Sequence, residues 1–245
     1  MTINRTIKSA IQKILNSFGY QICRKELLPN DAFGVQRELI QVQAPVILDI
    51  GAYVGQVTAE YRRLFPLASI HCFEPFHESF QILLKNVEGD SRTFCHNIAL
   101  SNQKGSAVLN VNLSSSTNSL LPSDRNASSF WGEGVLDTTS QIKVDTTTVD
   151  IFCQESSISH IDILKMDVQG AEYSVLSGAK EMLSNHNISL IYTELILCPT
   201  YKGQCQLHEY LSLFDSFDYN LLDFFNPVRR NNRLIHTDAI FVCSY

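Results

Sequence analysis

From residue 45 onward, short apolar runs rich in β-branched residues alternate with stretches of helical spacing. This alternation is typical of βα units, in which helices cover both faces of a parallel sheet. The predicted strands are 46–49, 69–73, 92–98, 161–166, 188–193, 220–225 and 239–243. The predicted helices lie near 55–65, 76–86, 171–183 and 206–217. We therefore expect an α/β fold with a doubly wound, mostly parallel seven-stranded sheet.

The first residues of the chain follow a different pattern. Apolar side chains recur at helical spacing from Ile3 to Phe18, with Arg5, Lys8 and Lys13 between them. This predicts an amphipathic helix that ends near Gly19. We expect residues 1–44 to form a helical extension of a domain at 45–245. The helix could pack on the domain or on a second subunit of a homo-oligomer, and contact with a membrane surface is the alternative.

The βα alternation is interrupted after the third predicted strand, near 105–145. Residues 105–111 alternate like an exposed strand, and a polar run at 114–119 and the turn formers around Trp131 follow. A long insertion in a compact domain is usually a binding loop or a disordered one. Because ligands bind outside the carboxyl ends of such strands, we expect it to capture the substrate. Phe130 and Trp131 could stack on a sugar face or an aromatic acceptor, or could equally belong to the core.

Composition limits the classes of partner and compartment. The chain has 245 residues, 44% of them hydrophobic, and a net charge of -6, without the basic stripe of a nucleic-acid binder. Its seven cysteines are scattered and are never spaced as CxxC, which is typical of reduced thiols. No stretch approaches the roughly 20 apolar residues of a membrane span. These features predict a cytoplasmic protein that does not bind nucleic acid.

The first βα turn carries the features of a nucleotide-type site. An apolar strand carrying Asp49 ends at Gly51, and Gly55 follows at the mouth of a helix, where a glycine lets the helix start pack against the strand. The second strand ends in Glu74, whose carboxylate could accept hydrogen bonds from the two hydroxyls of an adenosyl ribose. A nicotinamide dinucleotide site would need G-x-G-x-x-G here, and the middle glycine is missing. Together with the charge of Asp49, this favours a sulfonium ligand over a diphosphate.

Five segments together resemble the FkbM family of methyltransferases, over roughly positions 45 to 195. They are 49–55, 73–75, 96–101 with Gly105 shortly after, 147–150 and 164–172. The block from Lys165 to Glu172 is the most specific of them. The resemblance implies a class I, Rossmann-like methyltransferase fold that uses S-adenosylmethionine to methylate a hydroxyl, often on a sugar or a polyketide.

The resemblance also implies which residues line the cofactor. They are Asp49, Gly51, Tyr53, Gly55, Glu74, Pro75, Asn97, Ala99 and Asp167. Asn97 and Ala99 would border the adenine, where an amide could bond to the base edge. Asn97 could instead only cap the end of its strand.

The candidate catalytic residues follow the fourth and fifth strands. Asp167 and Glu172 are candidates for the base that takes the hydroxyl proton, or for ligands of a divalent cation that lowers the hydroxyl pKa. Lys165 could neutralise the developing alkoxide, or form an ion pair that only holds the loop. Glu194, at the end of the next strand, is a further catalytic candidate and, with Asp167, a candidate cation ligand. His236 and Asp238 could also reach the substrate side.

Two other functions remain open from the residues alone. One is a nicotinamide-dependent oxidoreductase that acts on a sugar, against which the missing glycine counts. The other is a binding module without catalysis on the same fold. The leading hypothesis is an O-methyltransferase that acts on a small-molecule hydroxyl acceptor of the sugar, glycoconjugate or polyketide type.

Overall fold

The computed structural model describes residues 31–243, so the amphipathic helix predicted before Gly19 lies outside the described residues. The compact unit that contains the sheet begins at Ala32. Ala32 and Ile40 are buried in its core, and the hydroxyl of Tyr61 donates to Gln36 Oε1 at 2.9 Å. Residues 32–40 therefore belong to the domain, whereas the sequence predicted a boundary at 44/45. Among the described helices, none has the length and apolar character needed to span a bilayer.

Ten strands and eight α-helices are formed by the described residues. The strands are β1 (Val46–Ile50), β2 (Ser69–Phe73), β3 (Thr93–His96), β4 (Ala99–Leu100), β5 (Gly105–Asn112), β6 (Thr138–Thr147), β7 (Ile161–Met166), β8 (Ile188–Ile196), β9 (Tyr219–Arg230) and β10 (Arg233–Cys243). The helices are α1 (Ala32–Leu39), α2 (Gln56–Leu64), α3 (His77–Asn86), α4 (Ser128–Trp131), α5 (Val149–Glu155), α6 (Glu172–Ser177), α7 (Lys180–Ser184) and α8 (Leu207–Asp215), with a 3-10 turn at Ser115–Thr117.

Seven strands form the main sheet in the order β3-β2-β1-β7-β8-β10-β9. Neighbours from β3 to β8 are parallel, and β10 is antiparallel to both β8 and β9. This confirms the predicted doubly wound, mostly parallel seven-stranded sheet.

The alternation of side chains along the central strands divides the core into two layers. Ile47 of β1 and Ile163 of β7 enter the layer that contains Tyr61 of α2. The next residues, Leu48 and Leu164, enter the opposite layer. Because side chains alternate between the faces of a strand, strands buried on both faces are mainly apolar, which is the pattern of β1 and β7 apart from Asp49, Asp162 and Lys165.

The third predicted strand, 92–98, is wrong at its carboxyl end, because β3 stops at His96 and Ala99–Leu100 pairs with β6 in a second sheet. Asn97 causes the break: its side-chain amide donates to the carbonyls of Glu74 and Pro75 at 2.8 and 3.1 Å. The second sheet has the order β4-β6-β5. The insertion is therefore built on a small sheet, of which the sequence predicted only β5.

The helix predicted at 171–183 is also wrong, since the chain forms two short helices, α6 and α7, instead. Gly178 lies between them, against Ser101 and Thr148, which flank the insertion. A Cβ at this position would approach the Ser101 carbonyl oxygen to 2.1 Å. The helix is interrupted at the point where the Gly178 backbone packs against Ser101. The sequence analysis also missed α5, whose first turn is capped by Thr148 Oγ1, which accepts from the Ile151 amide at 3.0 Å.

Candidate active site

A cavity of about 250 Å³ lies at the carboxyl ends of β1, β2 and β7. The strand ends and the loop after β1 form one side of it, and the insertion forms the other. Its lining residues are Ile50, Gly51, Ala52, Tyr53, Gln56, Val57, Phe73, Glu74, Pro75, Ile98, Ala99, Leu100, Leu109, Ser115, Ser116, Asn118, Ser119, Leu120, Lys165, Asp167, Val168 and Gln169. Such a position outside the strand ends is where doubly wound sheets bind ligands.

The loop after β1 is held between the ends of the two neighbouring strands. The amides of Gly51 and Ala52 both donate to the Phe73 carbonyl at 3.0 Å, and the Asp167 amide donates to Ile50 at 3.0 Å. Gly51 has φ +72°, and a Cβ there would lie 1.9 Å from the Asp167 carbonyl oxygen. Only glycine fits this backbone, which brings the first loop directly against the Asp167 segment.

Asp49 lies beneath this loop rather than in the cavity. Its Oδ1 pairs with Lys165 Nζ at 2.9 Å, and its Oδ2 accepts from Thr58 Oγ1 at 2.7 Å. Lys165 also donates to the Gly51 carbonyl at 2.9 Å. Burial lowers the pKa of Lys165, but the carboxylates of Asp49 and Asp167 together outweigh this effect and raise the pKa above its ordinary value. Of the two roles predicted for Lys165, the structure shows the ion pair that holds the loop.

Gly55 begins α2 and does not line the cavity. A Cβ at Gly55 would lie 2.7 Å from Leu83 Cδ1. The glycine therefore makes room for α3, and the start of α2 packs on β1 as the sequence predicted, with Thr58 Oγ1 donating to Asp49 Oδ2 at 2.7 Å.

Glu74 places a carboxylate in the cavity wall. Its Oε2 accepts from the Tyr53 amide at 3.0 Å, and its Oε1 accepts from the Phe76 amide at 2.8 Å. Burial raises the pKa of Glu74 to about 7, and the two amides partly oppose this shift. The group is thus oriented by backbone donors while each oxygen keeps acceptor capacity for a ligand hydroxyl.

Tyr53, Pro75 and Ala99 line the cavity as the sequence analysis expected. Asn97 does not line it, because its amide is committed to the Glu74 and Pro75 carbonyls. The observed role of Asn97 is therefore to shape the turn after β3, the alternative that the sequence left open.

Asp167 lies in the cavity, and its Oδ1 accepts from Gln169 Nε2 at 2.9 Å. The same nitrogen donates to Glu194 Oε2 at 3.1 Å. Tyr201 fixes the orientation of this amide by donating from its hydroxyl to Gln169 Oε1 at 2.8 Å. Gln169 therefore holds the two carboxylates at a set spacing, and the sequence analysis gave it no role.

Glu194 continues this chain of contacts away from the cavity. Its Oε1 lies 2.9 Å from His236 Nδ1, and the His236 ring stacks on Trp131 at a centroid distance of 5.0 Å. Burial and the nearby charge of Asp167 raise the pKa of Glu194. The hydrogen bond to Glu194 raises the pKa of His236. The candidates Glu194 and His236 thus form a pair next to Asp167.

Glu172 lies outside the cavity lining, although it belongs to the same sequence block. Its Oε1 accepts from the Val168 and Gly170 amides at 3.0 and 3.3 Å, and its Oε2 accepts from the Tyr210 hydroxyl at 3.3 Å. Burial raises the pKa of Glu172 to about 7. These contacts give Glu172 the role of holding the turn that carries Asp167, not direct contact with a ligand in the cavity.

The insertion closes the cavity through serine side chains that the sequence analysis did not assign. Ser115 Oγ lies 3.2 Å from the Tyr53 hydroxyl, and Ser119 Oγ donates to the Gln169 carbonyl at 2.7 Å. The expected position of the insertion over the site is thus observed. Phe130 and Trp131 lie on α4, outside the cavity lining, and pack against a small apolar cluster that includes Leu136 and Tyr201. This is the core position that the sequence left open as the alternative to stacking on a ligand.

No cluster of three or more potential metal ligands occurs within residues 31–243. The two carboxylates proposed as cation ligands, Asp167 and Glu194, are bridged by the amide nitrogen of Gln169.

Comparison with known proteins yields one family match and several individual relatives. A family model described as the methyltransferase FkbM domain matches residues 49–221. The 2-O-methyltransferase NoeI of Sinorhizobium fredii is 29% identical over 231 residues, which cover 89% of this chain and 92% of NoeI. Methyltransferase 1 of Beauveria bassiana is 26% identical over 142 residues, 54% of this chain and 57% of that protein.

Two solved structures share the fold. A methyltransferase FkbM from Methylobacillus flagellatus has a TM-score of 0.50 at 15% identity, and the match covers 83% of this chain and 45% of that one. A putative methyltransferase of Streptococcus mutans was solved in complex with S-adenosylhomocysteine (SAH). It has a TM-score of 0.51 at 8% identity, and the match covers 91% of this chain and 99% of that one. At these identities the likeness concerns the fold alone.

Proposed function

Because the chain belongs to the FkbM family of methyltransferases, we propose that it transfers a methyl group from S-adenosylmethionine to a hydroxyl of a small molecule. The acceptor would be a sugar, a glycoconjugate or a polyketide-type product. The observation that carries this proposal is a single cavity with the Glu74 carboxylate on one wall and Asp167 and Gln169 on another. A ribose-binding acid and an acceptor-binding acid then face the same space.

The first wall fits the methyl donor. Glu74 would accept from the ribose hydroxyls, while Pro75, Ile98 and Ala99 would contact the adenine. Gly51 lets the loop backbone lie against the ligand, and the buried Asp49–Lys165 pair holds that loop. When bound, S-adenosylmethionine supplies an electrophilic methyl group on a sulfonium sulfur.

The second wall fits the acceptor. Asp167 would accept the proton of the acceptor hydroxyl, and Gln169 would keep Asp167 and Glu194 in place. Glu172 would act indirectly by holding the turn after β7. Serine side chains of the insertion, at 115 and 119, would close the cavity over both ligands and exclude water.

The relatives support this proposal in two ways. NoeI is described as a 2-O-methyltransferase, and the match to this chain covers nearly all of both proteins. The S. mutans structure with the same fold was solved with SAH. Family membership argues against the nicotinamide-dependent oxidoreductase that the sequence left open, and we propose catalysis over a binding module because Asp167 faces the cavity.

Glu74→Gln is expected to weaken binding of S-adenosylmethionine by about tenfold or more, because a carboxylate accepts more strongly from hydroxyls than an amide does. Calorimetric titration measures this. In the wild type the dissociation constant should rise as the pH falls below about 7, toward the value of the Glu74→Gln variant, since protonation of Glu74 removes the better acceptor. Above that pH it should level off.

The matched control is Glu78→Gln, which changes an exposed acid in the first turn of α3. It should bind the cofactor like the wild type. A wild-type protein that does not bind S-adenosylmethionine would contradict the proposed function, and a Glu74→Gln variant with unchanged affinity and pH dependence would contradict the role of Glu74.

A screen of hydroxyl acceptors, run with and without a chelator, identifies the acceptor class and tests for a divalent cation. We expect methylation of a sugar-containing acceptor. If activity is lost with chelator and restored by Mg²⁺, Asp167 and Glu194 become cation ligands, and Gln169 must then move from between them. Unchanged activity with chelator leaves Asp167 as the base.

A further inference from the structure

A basic turn lies at the edge of the sheet at which the cavity opens. β10 is antiparallel to β8, and His236 pairs with Ile196, the last residue of β8. Arg233 and the turn that precedes it therefore extend past the edge of the sheet at which the parallel strands end. The cavity opens at the same edge.

Two arginines face each other at this turn. Arg230 of β9 pairs with Arg233 of β10 in the antiparallel register. Like charges directly opposite each other destabilise a sheet. Neither guanidinium forms an ion pair with any residue between 31 and 243, although the chain as a whole carries a net charge of -6. An anion bound between the two arginines would remove this repulsion.

Both side chains are directed toward α4 of the insertion. Arg230 Nη2 donates to the Trp131 carbonyl at 3.4 Å, and the Arg233 guanidinium lies 5.3 Å from the centre of the Phe130 ring. Arg229 pairs with Leu234 of β10. Because successive residues of a strand point to opposite faces, Arg229 lies on the face of β9 opposite to Arg230. The chain thus offers a control arginine of equal charge.

Direct contacts join the arginines to the cavity. Trp131 stacks on His236, whose Nδ1 lies 2.9 Å from Glu194. Glu194 in turn accepts from Gln169, which lines the cavity. These packed side chains form a row from the cavity wall to the two arginines, and a long acceptor with its hydroxyl at Asp167 would pass over the outer surface of this row to reach Arg230 and Arg233.

We propose that Arg230 and Arg233 bind a phosphate or diphosphate group of the acceptor. This rests on the proposed function and narrows the acceptor to a sugar joined to phosphate, such as a sugar phosphate or a nucleoside diphosphate sugar. Guanidinium groups match phosphate oxygens in geometry and bind them through paired, charge-assisted hydrogen bonds.

The test is calorimetric titration of the protein, in excess S-adenosylhomocysteine, with three probes: a hexose, its 1-phosphate and its uridine diphosphate ester. We expect at least one phosphorylated probe to bind about tenfold or more tightly than the free hexose, the loss of one charged pair being on that scale. The better of the two phosphorylated probes shows whether one phosphate or two are recognised. The difference in affinity between the phosphorylated probe and the free hexose should decrease as salt is added.

Two variants complete the test. Arg230→Gln with Arg233→Gln should bring the phosphorylated probe to the affinity of the free hexose, and Arg229→Gln should keep the advantage. The proposal is overturned if the wild type binds all three probes equally or binds none of them, if the double variant keeps the advantage, or if Arg229→Gln loses it as well. Titration with S-adenosylmethionine, performed on the same samples, tests the proposed methyl donor separately and should give wild-type affinity throughout.

Discussion

Replacing Asp167 by asparagine is expected to lower kcat by about 10²- to 10⁴-fold, the range over which a positioned general base contributes. Asparagine keeps an oxygen that can accept from Gln169, so the local structure is retained while the proton acceptor is lost. The affinity for S-adenosylmethionine should change by less than about tenfold, because Glu74 and the loop after β1 remain. Steady-state kinetics and cofactor titration measure the two effects.

The control for this variant is Asp145→Asn, which removes an exposed acid of β6. It should have wild-type kcat. If Asp167→Asn keeps more than about a tenth of the wild-type kcat, Asp167 is not the base. Glu194, which is joined to it through Gln169, is then the next candidate.

Replacing Lys165 by methionine is expected to lower the free energy of unfolding by about 3–5 kcal/mol, because it leaves the Asp49 carboxylate buried without its counter-ion. The two side chains are 5% and 0% exposed. Urea unfolding measures the change. Cofactor binding should weaken as well, since Lys165 holds the Gly51 carbonyl.

Lys104→Met is the matched control, because Lys104 pairs with Glu155 on the surface, with both side chains more than half exposed. It should cost less than about 1 kcal/mol. Asp49→Asn combined with Lys165→Met should be more stable than Lys165→Met alone, because no buried charge is left. Equal losses for Lys165→Met and Lys104→Met would show that the buried pair does not stabilise the loop.

The sheet was predictable because its central strands are buried on both faces. β2 and β7 have the predicted bounds, 69–73 and 161–166, since each is a short, mainly apolar run between polar segments. The strands β8 to β10 are longer than predicted. β9 is exposed over most of its length, and the mostly polar residues after Phe225 gave no signal in a search for apolar runs.

The position of the site could be predicted from the sequence better than the roles of its individual residues. Gly51, Glu74 and Asp167 follow strand ends, and parallel strand ends meet at one edge of a sheet, so their proximity follows from the pattern. The pairing of Asp49 with Lys165 depends on the register of β1 with β7, which places the two residues opposite each other. That register cannot be read from either segment alone.

The residues that sequence reasoning missed are neutral amides and hydroxyls. Gln169 lies inside the most specific block, but it carries no charge and does not titrate, so it gave no chemical signal. Ser115 and Ser119 lie in a polar run that is typical of any loop. Only the fold places these groups beside Tyr53 and Asp167.

The most direct test of the account is transfer of a labelled methyl group from S-adenosylmethionine to an acceptor panel of free and phosphorylated sugars, followed by NMR of the product. We expect the label on a sugar oxygen with the wild-type protein and with Asp145→Asn. With Asp167→Asn the rate of transfer should be lower by about 10²-fold or more. Label on nitrogen or carbon, or equal transfer by Asp167→Asn, would contradict the proposed chemistry.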